Sequence, residues 1–371
     1  MRPRRAAMKR DVVPIERIDV SAYTIPTDAP ESDGTLAWSS TTMVLVSATA
    51  GNRTGIGYSY ANRATAVLVH DTLVNEVQGR DALDVAGAWT AMIASIRNLG
   101  RPGISSMAVA AVDNALWDLK CKLLDVPLVA LLGAGRASIP VYGSGGFTSY
   151  TLERLQKQLG DWARDGIRMV KMKIGRESDA DIARVRAARE AIGPKTALFV
   201  DANGAYSRKQ ALGFAQAFVE LGVTWFEEPV PSDDLEGLRL IRDDAPPWID
   251  IAAGEYGYDI VYFRRMCEAG AVDVLQADAT RCAGVTGFLQ AADVATSYHL
   301  PLSSHCAPSI HAHPCCAVGA RHLEYFHDHV RIERMLFDGV LEPVDGALWP
   351  ARDRPGFGLT FKSADAQRYA I

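Results

Sequence analysis

The chain has 371 residues, a formal net charge of −5 and no basic stretch beyond its first ten residues, which argues against a nucleic-acid partner. Hydrophobic residues make up 48% of it, so a large core is available and general disorder is excluded; the length suits a barrel plus a smaller domain. No apolar run approaches membrane-spanning length, so no membrane partner is expected.

Residues 1–12 read as a flexible tail. Met1–Arg10 holds five basic residues without the apolar centre of a secretory signal. Residues 13–135 read as an α+β capping domain. Pro14–Pro26, Thr41–Ala50 and Thr54–Ala61 are β-branched or alternating and predict a three-stranded antiparallel meander. Asp28–Ser40, poor in apolar residues, predicts either a mobile lid or an ordinary exposed loop. Helical spacing follows over Ala64–Gln78, Asp84–Asn98 and Ser105–Leu124.

From about Ala137 the pattern turns to strand, helix, strand, helix. Eight short apolar runs are candidates for barrel strands: Ile139–Tyr142, Val170–Ile174, Ala197–Val200, Trp225–Phe226, Ile249–Ala252, Val272–Leu275, Leu300–Ser303 and His322–Leu323. Residues 136–338 therefore predict a TIM-type catalytic barrel. Residues 339–371, rich in Pro and Gly, predict a segment returning to the capping domain. The six cysteines form no Cys-x-x-Cys pair and sit in apolar segments, as buried free thiols of a cytoplasmic protein would. Cys306 beside His305 reads more readily as a small hydrophobe than as a nucleophile.

Charged residues recur just after these apolar runs, roughly one βα repeat apart. They are Lys171 and Lys173, Asp201, Glu227, Glu255, Asp278, His305 and Glu324. A closed parallel barrel brings such strand ends together on the face where barrel enzymes work. Asp201, Glu227 and Glu255 end three consecutive strands, and three carboxylates so close call for a divalent cation. Oxygen ligation favours Mg²⁺. Glu228 competes with Glu227, because neighbouring strand residues point to opposite faces. Lys171 and Lys173 share one face of a strand and are expected to depress each other's pKa, as a base requires. Asp278 beside His305 predicts a His–Asp dyad, and Glu324 a protonated carboxyl that donates to a substrate carboxylate. His311 and His313 read as structural.

These motifs resemble the enolase superfamily, within its mandelate racemase subgroup. The resemblance rests on Ala111-Val-Asp-Asn-Ala-Leu-Trp-Asp-Leu-Lys, Lys171-Met-Lys173, Val200-Asp201-Ala-Asn203, Glu227-Glu228-Pro229, Gly254-Glu255, Asp278 with Gly284-Val-Thr-Gly287, Ser303-Ser304-His305 and His322-Leu-Glu324. It implies a modified (β/α)7β barrel with an α+β cap and one Mg²⁺ per subunit in a homo-oligomer. It also implies abstraction of the proton next to a substrate carboxylate, through an enediolate, by Lys173 or His305 on opposite faces. Dehydration of an acid sugar to a 2-keto-3-deoxy acid is the favoured outcome. Racemisation or epimerisation of a 2-hydroxy acid is the alternative, and a catalytically silent sugar-acid-binding protein the alternative of another class. Asp278-Ala-Thr-Arg281 departs from the sixth-strand lysine of the muconate-cyclising branch. Substrate contacts are expected from Asn203 and, in the capping loops, from Trp38, Tyr58 and Arg63.

Overall fold

The computed structural model describes residues 12–133 and 135–371, so all but Val12 of the expected tail lies outside the described residues. The first three strands, β1 (Arg17–Ser32), β2 (Ala37–Ala50) and β3 (Arg53–Tyr60), form the antiparallel meander. Their inner faces pack on helices Val85–Ser95 and Ile104–Leu124, around Val46, Met92, Val109, Val112 and Leu116.

The structure differs from the sequence reading at Asp28–Ser40. Apart from a tight turn, this segment is strand, because β1 and β2 continue past a bulge between Pro26 and Glu31 and close as a long hairpin. Asp33 builds the turn: its Oδ1 accepts from the backbone N–H groups of Thr35 and Leu36, both at 2.7 Å. Gly34 then lies against the barrel, where an added Cβ would fall 2.3 Å from the Ala202 carbonyl oxygen. Ser32 and Thr148 share a hydroxyl hydrogen bond of 2.6 Å. The hairpin is thus pinned over the barrel mouth rather than loose.

Eight parallel strands close the barrel. They are β4 (Ile139–Gly145), β5 (Met169–Lys173), β6 (Ala197–Asp201), β7 (Val223–Glu227), β8 (Asp250–Ala253), β9 (Val274–Ala277), β10 (Leu302–Ser304) and β11 (His322–Phe326), and β11 pairs back with β4. Helices alternate with the strands, and His327–Leu336 follows β11 without a loop. Inward-pointing side chains are stacked in layers. Tyr142, Phe199, Trp225, Ala252 and Val274 plug the barrel below the active level. One step further along, Lys173, Asp201 and Glu227 stand in register across β5, β6 and β7.

The helix Ile104–Leu124 joins cap to barrel through buried polar side chains. Asp113 accepts from Thr286 N (3.0 Å) and Oγ1 (2.7 Å). Asn114 donates to the Ala279 carbonyl at 3.1 Å and accepts from Val285 N at 3.0 Å. Asn114 thus braces the loop that follows β9 and carries Asp278, and Asp113 the first turn of the helix Gly284–Ser297 after it. Asp118 accepts from Ile56 N and Phe357 N, tying β3 to the C-terminal segment. That segment also pairs Thr360–Phe361 with Phe337–Asp338 and bridges Ala370 to Tyr23 in β1.

Candidate active site and metal centre

Asp201 and Glu227 end their strands, and Glu255 follows β8 by two residues. Gly254 makes that last placement possible. Its φ is 137°, and a Cβ there would meet the Gln276 carbonyl oxygen at 2.1 Å. The three carboxylates are buried, each offering an oxygen within 4.8 Å of the others. Glu255 Oε2 has no hydrogen-bond partner in the protein. A ring of oxygens with one buried atom unsatisfied fits a hard divalent cation. Two other groups among the described residues come as close, His305–Cys306–Glu324 and Asp28–Glu31–His327, but only the first set is all carboxylate.

Glu228 joins this crowd, against the expectation that only one of Glu227 and Glu228 faces the axis. Alternation holds inside a strand, but β7 ends at Glu227, and Glu228 has a φ of 39°. Its carboxyl is buried with Oε1 unpartnered. Burial, then the charges of Glu255 and Asp201, push its pKa well above the usual carboxyl range.

The two lysines also depart from expectation. Lys171 Nζ lies 2.6 Å from Glu227 Oε1, 2.8 Å from Glu324 Oε1 and 3.3 Å from Asp201 Oδ2, and is fully buried. Burial alone would lower its pKa, but Glu227 and Glu324 hold it well above the usual lysine value. Lys173 Nζ donates to Asp201 Oδ2 at 2.5 Å and is likewise raised, burial being outweighed by Asp201. Carboxylates, not the neighbouring ammonium, dominate both sites. Lys173 lines the cavity that opens under the hairpin; Lys171 does not, and instead clamps Glu227 to Glu324.

Glu324 in β11 accepts from Ser144 Oγ (2.6 Å) and from Cys306 N (2.8 Å). Burial opposes its charge, but Lys171 holds its pKa well below the usual range. Lys171 thus favours the ionised, accepting form of Glu324, where the sequence reading expects a protonated donor. His305 Nδ1 and Asp278 Oδ2 are 2.8 Å apart, and His305 Nε2 faces Glu255 Oε2 at 3.5 Å. Burial works against the Asp278 charge, yet the bond to His305 holds that carboxyl below its usual range. Cys306 Sγ is 3.2 Å from His305 Nε2, but burial pushes its pKa well up, so it stays a thiol.

Three further residues were not picked out from sequence as site residues. Arg281 donates to Glu255 Oε1 at 3.2 Å, approaches Asp278 Oδ2 at 3.8 Å and lies over the Tyr256 ring. Its place three residues after Asp278 was the available signal. His311, read as structural, accepts from Ala279 N at 2.7 Å and lies 3.6 Å from Asp278 Oδ1. His329 stacks on Tyr60 with ring centroids 3.4 Å apart and lines the cavity. No spacing signal marks it.

The capping-loop expectations separate. Trp38 and Asn203 line the cavity. Trp38 Nε1 donates to Glu31 Oε2 at 2.8 Å and its ring meets Phe147 edge-on. Tyr58 does not line it: its hydroxyl donates to Glu333 at 2.6 Å and its ring stacks on Phe337, inside the cap–barrel seam. Arg63 lies on a separate surface cavity with Val20 and His70. Tyr58 and Tyr60, two apart on β3, share a face with ring centroids 5.7 Å apart, but only Tyr60, at the strand's end, reaches the cavity. We expect Trp38→Ala to raise KM at least about tenfold, through loss of one large apolar contact. Arg63→Ala should leave kcat and KM within twofold; a larger loss for Arg63→Ala than for Trp38→Ala in steady-state kinetics would reverse the assignment.

A buried oxygen-ligand cluster, a lysine and a His–Asp dyad at the C-terminal end of a capped barrel define a metal-assisted enzyme acting on a small molecule. Residues 20–133 match the mandelate racemase / muconate lactonizing enzyme N-terminal domain, and residues 154–366 match the enolase C-terminal domain-like family. The chain belongs to the mandelate racemase / muconate lactonizing enzyme family of the enolase superfamily. It is similar to the structure of a mandelate racemase/muconate lactonizing enzyme-like protein from Rubrobacter xylanophilus, at 55% identity over 96% of this chain and 100% of that one, with a TM-score of 0.95. L-talarate/galactarate dehydratase of Salmonella typhimurium is 33% identical over 85% of this chain and 79% of its own length. A racemase from Streptomyces coelicolor A3(2), solved with bound magnesium, is 29% identical over 96% of this chain and all of its own, with a TM-score of 0.90. The chain is thus an enzyme, a lyase or an isomerase, and its cofactor is Mg²⁺.

Proposed function

We propose that this protein dehydrates an acid sugar to a 2-keto-3-deoxy acid. The observation that carries the reading is one cavity lined by both Lys173 and the His305–Asp278 dyad, with Glu255 of the carboxylate cluster at its floor. Asp201, Glu227 and Glu255 would hold Mg²⁺, which supplies positive charge at the substrate carboxylate and so makes the neighbouring C–H more acidic.

The chain's own groups do the rest. Lys173 or His305 takes the C2 proton, according to which face of the substrate presents it. Asp201 serves both the cluster and Lys173, so any charge drawn away from Asp201 moves Lys173 towards the neutral form a base needs. The imidazolium of His305, stabilised by Asp278, gives its proton to the C3 hydroxyl. The C3–O bond breaks, water leaves, and the resulting enol tautomerises to the ketone. The site belongs to a family in which similar chains carry the names of sugar-acid dehydratases, which supports this outcome.

A racemase or epimerase is the second reading. It is favoured by the same pair of proton-transfer groups, since one could deliver a proton to the face opposite that from which the other removed it. Incubating the Mg²⁺-loaded enzyme with a panel of acid sugars in D₂O separates the two. Keto acid trapped by a carbonyl reagent is the expected result. Deuterium at C2 with inversion and no keto acid would establish the isomerase instead. Ligand-dependent thermal stabilisation with neither signal would leave only a binding protein.

A further inference from the structure

We infer that the substrate's end remote from the reacting carboxylate carries hydroxyls and no second charge: the cavity is built for a polyhydroxy monocarboxylate (an aldonate), not a dicarboxylate (an aldarate). This rests on the dehydratase reading for the sugar-acid chain, and on the cavity's own charges for the end group.

The cavity, of about 520 Å³, runs from the strand ends of the barrel to the hairpin of the cap. A carboxylate carried into such a space needs a cation or several N–H donors to replace its water. Among the described residues that line it, the basic groups are Lys173, Arg281, His305 and His329. The first three already face carboxylates at the reaction end: Lys173 on Asp201, Arg281 on Glu255, His305 on Asp278. His329 is a neutral ring, because burial lowers its pKa well below the usual value. It is also sandwiched against Tyr60, and its Nδ1 accepts from Ala307 N at 3.4 Å.

At the cap end the lining is Ser40, Thr41, Thr42, Tyr60 and Asn62, all uncharged, with the carboxylate of Asp33 beside them. Asn62 Oδ1 accepts from Ala64 N at 2.9 Å, which leaves its amide nitrogen for a ligand oxygen. Behind this wall Thr41 donates to the buried Asp328 at 2.5 Å, and Glu31 lies buried with Oε1 unpartnered, its pKa pushed up to about 8 by burial and by Asp328. Arg154 and Arg331, paired with Asp28 and Asp328, do not line this cavity. Arg63, the cation expected from sequence, faces elsewhere. A second carboxylate would therefore find no unpaired cation at this end and would face the carboxylate of Asp33, whereas sugar hydroxyls can both donate to and accept from the groups there.

Paired substrates test this: each aldonate against the aldarate of the same C2–C4 configuration, with Mg²⁺, scored for keto acid and for deuterium exchange at C2. The expected result is an aldonate preferred over its paired aldarate by roughly 100-fold or more in kcat/KM. Aldarates turned over as fast or faster would overturn the inference while leaving dehydration standing. If neither series gives keto acid, dehydration falls, and the same ratio read in C2 exchange still decides the end group. Absence of exchange from both series overturns both. Leu36 offers a second handle, since it lines the cavity yet is 61% exposed, so a longer polar side chain is tolerated there. Leu36→Arg should raise the aldarate-to-aldonate ratio about tenfold or more. An unchanged ratio in a variant that keeps its Tm would overturn the placing of the remote end at the hairpin.

Discussion

Stripping the divalent ion with a chelator should reduce turnover by more than about 10³-fold, because the charge that stabilises the deprotonated substrate goes with it. The structure shows why the residues do not compensate. Asp201, Glu227, Glu228, Glu255, Asp278 and Glu324 are all buried around the site, and the fixed cations facing them are Lys171, Lys173 and the half-buried Arg281. Carboxylates outnumber those cations, and a divalent ion offsets the surplus. Without it the surplus is relieved by proton uptake, and burial with acidic neighbours pushes both Glu227 and Glu228 that way. Binding of the ion should then expel a proton, so the apparent Mg²⁺ affinity should rise with pH.

The sign for stability follows from the same shift. A carboxyl whose folded pKa is raised stabilises the fold below its unfolded pKa and loses that contribution as pH climbs through the folded value. The metal-free protein should therefore weaken as pH rises from 6 to 8, and the Tm gap between loaded and chelated protein should widen. At an ion concentration of 100 Kd the loaded form gains about 2.7 kcal/mol. Calorimetric titration in two buffers of different ionisation enthalpy, with melting curves at pH 6 and 8, checks both points. A Tm gap that narrows towards pH 8 would sink the charge argument, and full activity in the chelated enzyme would sink the metal site.

Loss of either proton-transfer group is the second large effect. Lys173→Ala and His305→Asn should each lower kcat by about 10³-fold or more, the upper part of the range for a positioned acid or base. The two should differ in what survives. His305→Asn removes the acid that serves the leaving hydroxyl, so keto acid should vanish from every substrate. Lys173→Ala should abolish C2 exchange only for substrates that present the proton to its face. Retained Mg²⁺ binding separates chemistry from collapse of the site, a necessary control because Lys173 also neutralises Asp201. Either variant keeping a tenth of wild-type kcat would remove that residue from the mechanism.

Much of the site was legible because barrel topology converts a periodic sequence signal into a cluster. Asp201, Glu227, Glu255, Asp278 and His305 are found at strand ends as their spacing implied, since each parallel strand must begin on the same side. Lys171 and Lys173 share a face for the same reason of alternation. What failed depended on neighbours distant in sequence. The lysine pKa values are governed by carboxylates from β6, β7 and β11, and the protonation of Glu324 by a lysine about 150 residues away in the chain. Glu228 reads from sequence as a competitor of Glu227, yet both reach the site because its positive φ breaks the alternation.

The capping contribution was the least legible part. Asp28–Ser40 carries few apolar residues because its partners are a sheet neighbour and the rim of the barrel, neither of which imposes a hydrophobic period. Tyr58, Tyr60 and Arg63 look equivalent in a list of polar loop residues. Only the docking of β3 against the barrel sends Tyr60 into the cavity, Tyr58 into the seam and Arg63 to another surface. The sequence alone determined the barrel and the residue types at its strand ends, because those follow from periods of two and of one βα unit. Tertiary structure decided which charges face each other, which side chains reach the cavity and so what shape and charge of molecule can enter, because electrostatic and steric environments are set by whichever distant segments fold against a residue.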